Sequence, residues 1–364
     1  MASLYARVGA DVQPFNRAMQ GVEGKLHGIG GAFGTLGGVV TDVFKIGAVA
    51  AIGATTAAIG GLTAVIVKST QSAADMQQQV ANIAAVMGLT ADETDKVSGL
   101  INSLGLDPNL KVSAVEAGQA IEMLAKNGLS LDQIMGGAAR STVLLANSTG
   151  ADFAAAADTA TSAMMQFGIK AEDMGHAVDQ IVGVTNVSKF GFEDYSLALA
   201  QAGGVAASVG VSFEDFNATI AAISPLFASG SDAGTSFKTF LQRLIPQSKS
   251  AEGAMKKLGL MTEDGKNAFF DANGQLKDMA DIAGLLNKAF SGLSEEQKNE
   301  AASTIFGTDA MRAAFAIAGI TTDQFNQLKQ VMGNTNAEDA AATRMNTFSG
   351  KMEIFISAAR SRGV

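Results

Sequence analysis

The chain of 364 residues contains no Cys, no Trp, two His and two Tyr. Without thiols it cannot form disulfides, cysteine-ligated zinc sites, iron–sulfur clusters or a cysteine nucleophile. Glycine is abundant, with 41 residues, proline is scarce, with 4, and aromatic residues make up only 6% of the chain. This composition is typical of helices that pack closely through small residues, so the sequence predicts an all-α protein.

Charge is distributed unevenly along the chain, which carries a net charge of −9. Residues 1–70 hold five basic and three acidic residues, a net charge of +2. The remainder, with 21 basic and 32 acidic residues, carries −11. Because an acidic surface repels a phosphate backbone, we expect no direct contact of this acidic body with DNA.

Residues 1–70 form a Gly/Ala-rich N-terminal region that holds 13 of the 41 glycines. Within this region, residues 46–67 form a stretch of 22 residues without a charge, bracketed by Lys45 and Lys68. About 20 apolar residues suffice for a helix to cross a bilayer, and flanking lysines suit its interfaces. The stretch contains seven Ala, four Gly and three Thr but only one Leu, which weakens that signal.

Two interpretations of residues 46–67 therefore stay open. In the first, the segment inserts into a membrane in some state of the protein. In the second, it is a Gly/Ala-rich helix packed against copies of itself or inside a sheath. Each glycine destabilises an isolated helix by about 1 kcal/mol relative to Ala, so both interpretations require lipid or a partner surface. The candidate membrane or helix-packing residues are Lys45, Gly47, Gly53, Gly60, Gly61 and Lys68.

Residues 71–312 show a regular helical pattern with a recurring turn, in which Gly precedes an aliphatic residue and, usually, Ser or Thr. Four copies start 40, 40 and 42 residues apart, at Gly88, Gly128, Gly168 and Gly210. We expect each Gly to end a helix in the left-handed conformation and Ser or Thr to cap the next helix. Glu or Gln three residues later would close a capping box. The cap candidates are Thr90, Glu93, Ser130, Gln133 and Ser212.

A period of about 40 residues corresponds to two helices per unit, which predicts stacked helical hairpins or an irregular helical bundle. Asn273 and Gly274 lie between short apolar groups, a pattern that predicts one small β-hairpin over residues 269–276. Residues 313–364 are expected to form a helical extension. Its apolar residues follow heptad spacing and indicate the start of a coiled coil: Met345, Phe348, Met352, Phe355 and Ala359. The helical pattern still runs where the chain stops, which suggests a truncated longer protein.

No constellation of residues for catalysis, cofactor binding or metal binding stands out. His27 and His176 have no second His, Cys or paired carboxylate at ligand spacing. The glycine-rich segment lacks the GK[ST] of a P-loop, and no Gly-x-Ser-x-Gly elbow is present. Acidic pairs fall at helix starts, where capping explains them. The sequence therefore predicts that the protein is not an enzyme.

The body of the chain, over residues 75–312, resembles the core of phage tail tape-measure proteins, which belong to the phage minor tail protein family. The stretches VSAVEAGQAIEMLAKNGLSLDQI and IFGTDAMRAA carry much of the likeness. Four turn elements of the family are also present: Leu124-Ala125-Lys126-Asn127-Gly128, Phe167-Gly168, Gly230-Ser231-Asp232-Ala233-Gly234-Thr235 and Phe306-Gly307. One departure precedes the VEAGQA helix, where Pro108–Ser113 replace the usual Thr-x-Phe-Ser, and no wall-hydrolase domain is present.

This resemblance implies a structural protein that fills the lumen of the tail tube, sets tail length during assembly and is ejected before DNA. Residues 46–67 would then help to cross the host inner membrane. The implied partners are further copies of the chain (a trimer, for example), the tail-tube protein, tail-tip or baseplate hub proteins and tail assembly chaperones. The implied locations are the virion, the host cytoplasm during assembly and the host inner membrane after ejection. As one continuous helix, 364 residues would span at most about 550 Å.

A competing hypothesis is a helical membrane-inserting or pore-forming effector that uses residues 46–67. A third is a helical scaffold or adhesin from a tail-like secretion device. The resemblance favours the tape measure.

Overall fold

The computed structural model describes the backbone of residues 60–345 and the side chains of residues 74–344. Over that part of the chain it contains fourteen α-helices and no β-strand, which confirms the predicted all-α class. The predictions for Lys45, Gly47, Gly53 and the heptad residues beyond Met345 lie outside the described residues. The described residues from Ile66 onward cluster into one compact unit.

The helices follow one another through short turns. Leu131–Gln133 and the π-helical turn Ile134–Ala138 lead directly into α4, and 3-10 turns at Ala171–Asp173 and Ser224–Leu226 precede α6 and follow α8. The helices are α1 (Gly60–Met87), α2 (Ala91–Leu106), α3 (Ala114–Lys126), α4 (Ala139–Thr149), α5 (Phe153–Phe167), α6 (Met174–Val187), α7 (Phe192–Ser208), α8 (Phe213–Ile223), α9 (Gly230–Arg243), α10 (Lys249–Lys257), α11 (Met279–Phe290), α12 (Glu295–Ala318), α13 (Thr322–Gly333) and α14 (Ala337–Met345).

Alternate helices fall into two layers. Helices α3, α5, α7 and α9 pack side by side in chain order, and α12 follows α9. Helices α4, α6 and α8 form the second layer behind them. Residues about one repeat apart meet across neighbouring helices of the first layer, since the hydroxyl oxygens of Thr159 and Ser196 lie 3.0 Å apart. The 40-residue period of the sequence therefore corresponds to one hairpin of this stack.

The last two helices run back over the second layer. Helix α13 packs on α6, α8 and α11, and α14 packs on α4. We call α13 and α14 together the strap, residues 322–345. The strap contacts all three helices of the second layer.

The interior combines small residues with one row of aromatic rings. Buried alanines from both layers allow close helix contact, among them Ala117, Ala156, Ala198 and Ala218. Six phenylalanine rings form a continuous row with centroid separations of 5.1–6.2 Å, in the order Phe213, Phe167, Phe216, Phe237, Phe240 and Phe306. Adjacent tilted or offset rings attract one another beyond their buried area, so this row links the second layer to α9 and α12.

The segment predicted as a β-hairpin contains one antiparallel bridge, between Phe270 and Leu276, and no strand. Its loop has three residues rather than two, because the Asp271 N–H donates to the Gln275 carbonyl at 2.8 Å. Gly274 is left-handed, with φ 79°, as the bulge that follows a type I turn requires. A second bridge, between Met261 and Asn267, was not predicted.

Two helices run through the positions where the sequence placed domain boundaries. Helix α1 passes residue 70, and α12 passes residue 312. Both boundaries were drawn from changes in composition and in the match to the family, neither of which requires a helix to end.

Candidate functional site

The four repeat turns share one backbone geometry. Their glycines are left-handed, with φ values of 66° at Gly88, 88° at Gly128, 66° at Gly168 and 92° at Gly210. The next N–H donates to a carbonyl five residues back at 2.9–3.1 Å, from Leu89 to Ala84, Leu129 to Leu124, Ile169 to Met164 and Val211 to Ala206. This bond and the left-handed glycine define the Schellman helix end. Each turn thereby satisfies carbonyls that the helix end would leave unpaired.

The residues that follow these glycines cap the next helix in two different ways. The Thr90 N–H donates to the Glu93 carboxylate at 2.8 Å, and the Ser130 N–H donates to the Gln133 side-chain oxygen at 2.9 Å. In both cases the reciprocal bond closes a capping box. The turn after Gly168 lacks such a cap, and a 3-10 turn leads into α6 instead.

Ser212 caps its helix without a capping box, because the Asp215 carboxylate bonds to groups inside the protein and not to the Ser212 N–H. The Ser212 hydroxyl accepts a hydrogen bond from the Asp215 N–H at 3.1 Å. The Asp215 carboxylate is buried and accepts bonds from the Met279 N–H, at 2.9 Å, and from the ammonium of Lys329. Asp215 therefore joins α8, α11 and α13. Sequence analysis missed this role, and the flanking Phe213 and Phe216 were the signal of a buried position.

The Gly-Ser-x-Ala-Gly-Thr element is the surface through which α9 packs on α7. A β-carbon on Gly230 would lie 1.7 Å from the Asp194 carbonyl oxygen, and one on Gly234 would lie 2.8 Å from the Ala198 carbonyl oxygen. The Asp194 carboxylate also accepts a hydrogen bond from the Gly230 N–H at 2.8 Å. Both glycines are thus required by space, because any side chain would separate the two helices.

The Phe306-Gly307 element lies inside α12 rather than between helices. Gly307 has φ 77° and ψ 172°, and the helix is kinked there. The Phe306 ring, fully buried, lies 5.2 Å from that of Phe240. Beyond the kink, the Arg312 guanidinium binds the Asp232 carboxylate at 2.7 Å and lies 4.6 Å from the Phe227 ring centroid.

Chemistry-bearing groups are sparse among the described residues, in which no group of three or more His, Asp and Glu side chains is placed to hold a metal ion. His176 is exposed and lies 3.7 Å from the Glu214 carboxylate. These two residues line a groove of about 780 Å³ between the turns at Gly168 and Gly210. The groove is open to solvent, and its polar lining also includes Gln166, Lys170 and Asp173.

The structure describes only some of the candidate membrane residues. Gly60, Gly61 and Lys68 belong to the backbone of α1. Among the described residues, no helix combines the length and the apolar content needed to cross a bilayer.

The sequence matches the model of one protein family. The family model described as phage-related minor tail protein matches residues 99–307, more than half of the chain. The chain belongs to the phage-related minor tail protein family. The matched range contains the four turn elements on which the family resemblance rests, from Leu124–Gly128 to Phe306-Gly307. The protein is therefore a phage tail protein associated with the virion.

One curated relative extends this match. The chain is 26% identical over 303 residues to a protein named "Tape measure protein" from Pneumococcus phage Dp-1. The alignment covers 83% of this chain and 26% of the relative, so the chain spans about a quarter of the relative's length. The resemblance to tape-measure proteins inferred from the sequence is confirmed. No solved structure matches the chain.

Proposed function

We propose that this protein is a structural, non-catalytic component of the tail-tube lumen whose length sets tail length during assembly. The observation that carries the proposal is the modular chain: one hairpin recurs every 40 or 42 residues and ends in the same turn. A chain built from equal units adds length in a graded way. The similarity to a protein named as a tape measure supports the same role.

The proposed partners follow from that location. Copies of this chain would lie side by side in the lumen, as a trimer for example, in contact with the tail-tube protein and with tail-tip or baseplate hub proteins. Tail assembly chaperones would hold the chain in the host cytoplasm before tube growth. The acidic body would repel DNA, which suits a component that leaves the tube first.

We further propose that ejection brings residues 46–67 to the host inner membrane. A peptide of residues 40–70 should release dye from liposomes, and Ile59→Asp should abolish the release because a carboxylate is costly in hydrocarbon. Ile59→Val is the matched control and should keep full release. Equal release by the Asp and Val variants would contradict membrane insertion.

A length-setting chain could lie in the tube as stacked hairpins or as one continuous helix. These two conformations predict different tail lengths per residue. Neighbouring helices lie about 10 Å apart, so one stacked hairpin would add about 10 Å. As continuous helix, 40 residues would add about 60 Å. Tail length per residue therefore reports which conformation spans the tube.

The test is a set of phages with altered numbers of hairpins. One lacks residues 128–167, which joins Asn127 to Gly168, and one carries residues 128–167 twice. We expect tails shorter and longer than wild type by equal amounts, about 60 Å each if the chain is extended helix and about 10 Å if it is stacked. Thr90→Ala is the control, because it weakens a helix cap without changing chain length. Unchanged tails in the phage with the duplication would contradict the length-setting role.

A further inference from the structure

The strap buries fewer residues than any helix of the two layers. Helix α7 buries six residues along its length, Tyr195, Ala198, Leu199, Ala202, Gly203 and Ala206. The strap spans more residues, and among its described side chains (322–344) only Phe325, Met332, Ala337 and Ala341 are buried. Few buried apolar residues therefore hold the strap on the second layer, and polar contacts add to them.

Each of the three helices of the second layer contributes one polar contact to the strap. From α4, Arg140 binds the Glu338 carboxylate at 2.9 Å. From α6, the Asp179 carboxylate accepts the Ala337 N–H at the start of α14, at 2.7 Å. From α8, Asp215 accepts a hydrogen bond from the ammonium of Lys329.

One close contact between strap and core has no side chain on one partner. A β-carbon on Gly183 in α6 would lie 3.0 Å from the Met332 Cα. The α13 backbone thus lies directly on α6 at this point. The Met332 side chain is fully buried at this contact.

Among the polar contacts, the one at Lys329 is distinct because its partner is buried. The Asp215 side chain is 4% exposed, while the Lys329 side chain is 29% exposed. The Arg140–Glu338 pair is far more open, at 37% and 52%. Exposed pairs contribute little to stability, whereas a buried carboxylate left without its cation is strongly destabilised.

We propose that the strap opens and closes as one unit on a core that stays folded, with the Lys329–Asp215 pair as its latch. Regions with few buried apolar contacts open at lower free energy than the rest of a structure. Opening would uncover the faces of α4, α6 and α8 and would leave Asp179 and Asp215 without their partners in the strap.

Because the chain has no cysteine, single introduced thiols can test this proposal in the full-length protein. Ala341→Cys places a thiol in the strap and Ala160→Cys places one in α5, at two positions that are equally buried. We expect a thiol reagent in native buffer to label Ala341→Cys at least ten times faster than Ala160→Cys. Low urea should leave the first rate nearly constant, because strap opening exposes little surface. Equal rates with the same urea dependence would show that both sites open only by global unfolding, and would overturn the proposal.

The latch is tested by adding Lys329→Met to each probe. Labelling of Ala341→Cys should accelerate about ten-fold, and labelling of Ala160→Cys should not change. Lys126→Met is the matched control, because it removes an ammonium that pairs with Glu122 within α3, and it should affect neither rate. Equal acceleration of both probes by Lys329→Met would contradict a latch. If that variant does not fold, the rates of the two probes without it decide the proposal.

Discussion

Gly230, the first residue of α9, donates its N–H to the Asp194 carboxylate at 2.8 Å, and its Cα lies directly against the Asp194 carbonyl. One acidic residue in the first turn of α7 therefore fixes the start of α9 by its side chain and its main chain at once. The two helices belong to consecutive hairpins, so this contact sets how the hairpins stack.

Gly230→Ala should destabilise the protein more than an ordinary overpacking substitution. Its β-carbon would lie 1.7 Å from a main-chain oxygen that cannot rotate away, so we expect a loss of about 3 kcal/mol or more in the free energy of unfolding. Gly204→Ala is the control, since Gly204 lies in α7 with open space around it and should be neutral or stabilising by up to about 1 kcal/mol. Urea denaturation measures both. Similar values for the two variants would show that α9 can shift away from α7.

Gly307→Ala tests backbone conformation rather than space. No atom lies within 4 Å of a β-carbon at this position, but φ 77° with ψ 172° is a region that only glycine adopts readily. We expect a loss of about 1–3 kcal/mol. Gly99→Ala, in α2 with equally open surroundings, should lose nothing. If thermal and urea unfolding show Gly307→Ala to be as stable as Gly99→Ala, the kink is not needed for folding.

Tyr195 should make the protein less stable at alkaline pH. Burial raises the pKa of the Tyr195 phenol well above its ordinary value, while the unfolded chain releases this proton at about pH 10. The contribution of the neutral phenol to stability is therefore fully present below the unfolded pKa. It is lost progressively as pH rises from there towards the folded pKa. In a Tyr5→Phe background Tyr195 is the sole tyrosine, and its phenolate absorbance should rise only together with loss of helical circular dichroism. Phenolate absorbance that appears while the helices persist would rule this out.

Tyr195→Phe should remove the alkaline loss and cost stability at neutral pH. The hydroxyl donates to the Asn217 side-chain oxygen at 2.7 Å inside the protein, so the variant leaves a buried acceptor unpaired. We expect a loss of about 1–3 kcal/mol at pH 7. Asn217→Leu in the same background should recover part of that loss if the penalty arises from the unpaired amide oxygen. No recovery in the double variant would point to packing instead.

The two capping boxes that follow Gly88 and Gly128 should differ in their response to acid. The N–H and hydroxyl of Thr90 lower the pKa of the Glu93 carboxyl, so its stabilising effect is present above the unfolded pKa and is lost as pH falls through the folded pKa. Thr90→Ala keeps the main-chain donor and should raise the pKa of Glu93 only in part, as measured by NMR titration. Ser130→Ala also removes a cap, but Gln133 does not titrate, so its loss should not depend on pH. A Thr90→Ala variant with an unchanged pKa of Glu93 would contradict this assignment.

Features that depend on nearby residues could be predicted from the sequence, and features that depend on distant ones could not. The left-handed glycines and the caps at Thr90 and Ser130 follow from a few consecutive residues, because a helix end must satisfy its own backbone groups. Asp215 carries the same local pattern as a cap residue, yet its carboxylate binds groups 64 and 114 residues away. No spacing rule connects such distant positions.

The strap and the kink at Gly307 also depend on distant residues and could not be predicted from the sequence. Helix α13 was predicted as part of an extension, since its sequence is polar and gives no indication that it returns to the second layer. Phe306 and Gly307 were singled out as part of the family resemblance, but a Phe-Gly pair was expected to form a turn at a helix end and not a kink within a helix. Whether the chain resumes the helix after Gly307 depends on the contacts of α12 with α9, α10 and α11.

The spacing of the left-handed glycines also constrains how this chain can change in evolution. A duplication or deletion that runs from one such glycine to the next adds or removes one complete hairpin, and every remaining helix end keeps its glycine. An insertion or deletion of only a few residues would instead move a residue with a β-carbon into a position that favours glycine. Variation in the size of this body should therefore occur in whole hairpins, at junctions that the turns already provide.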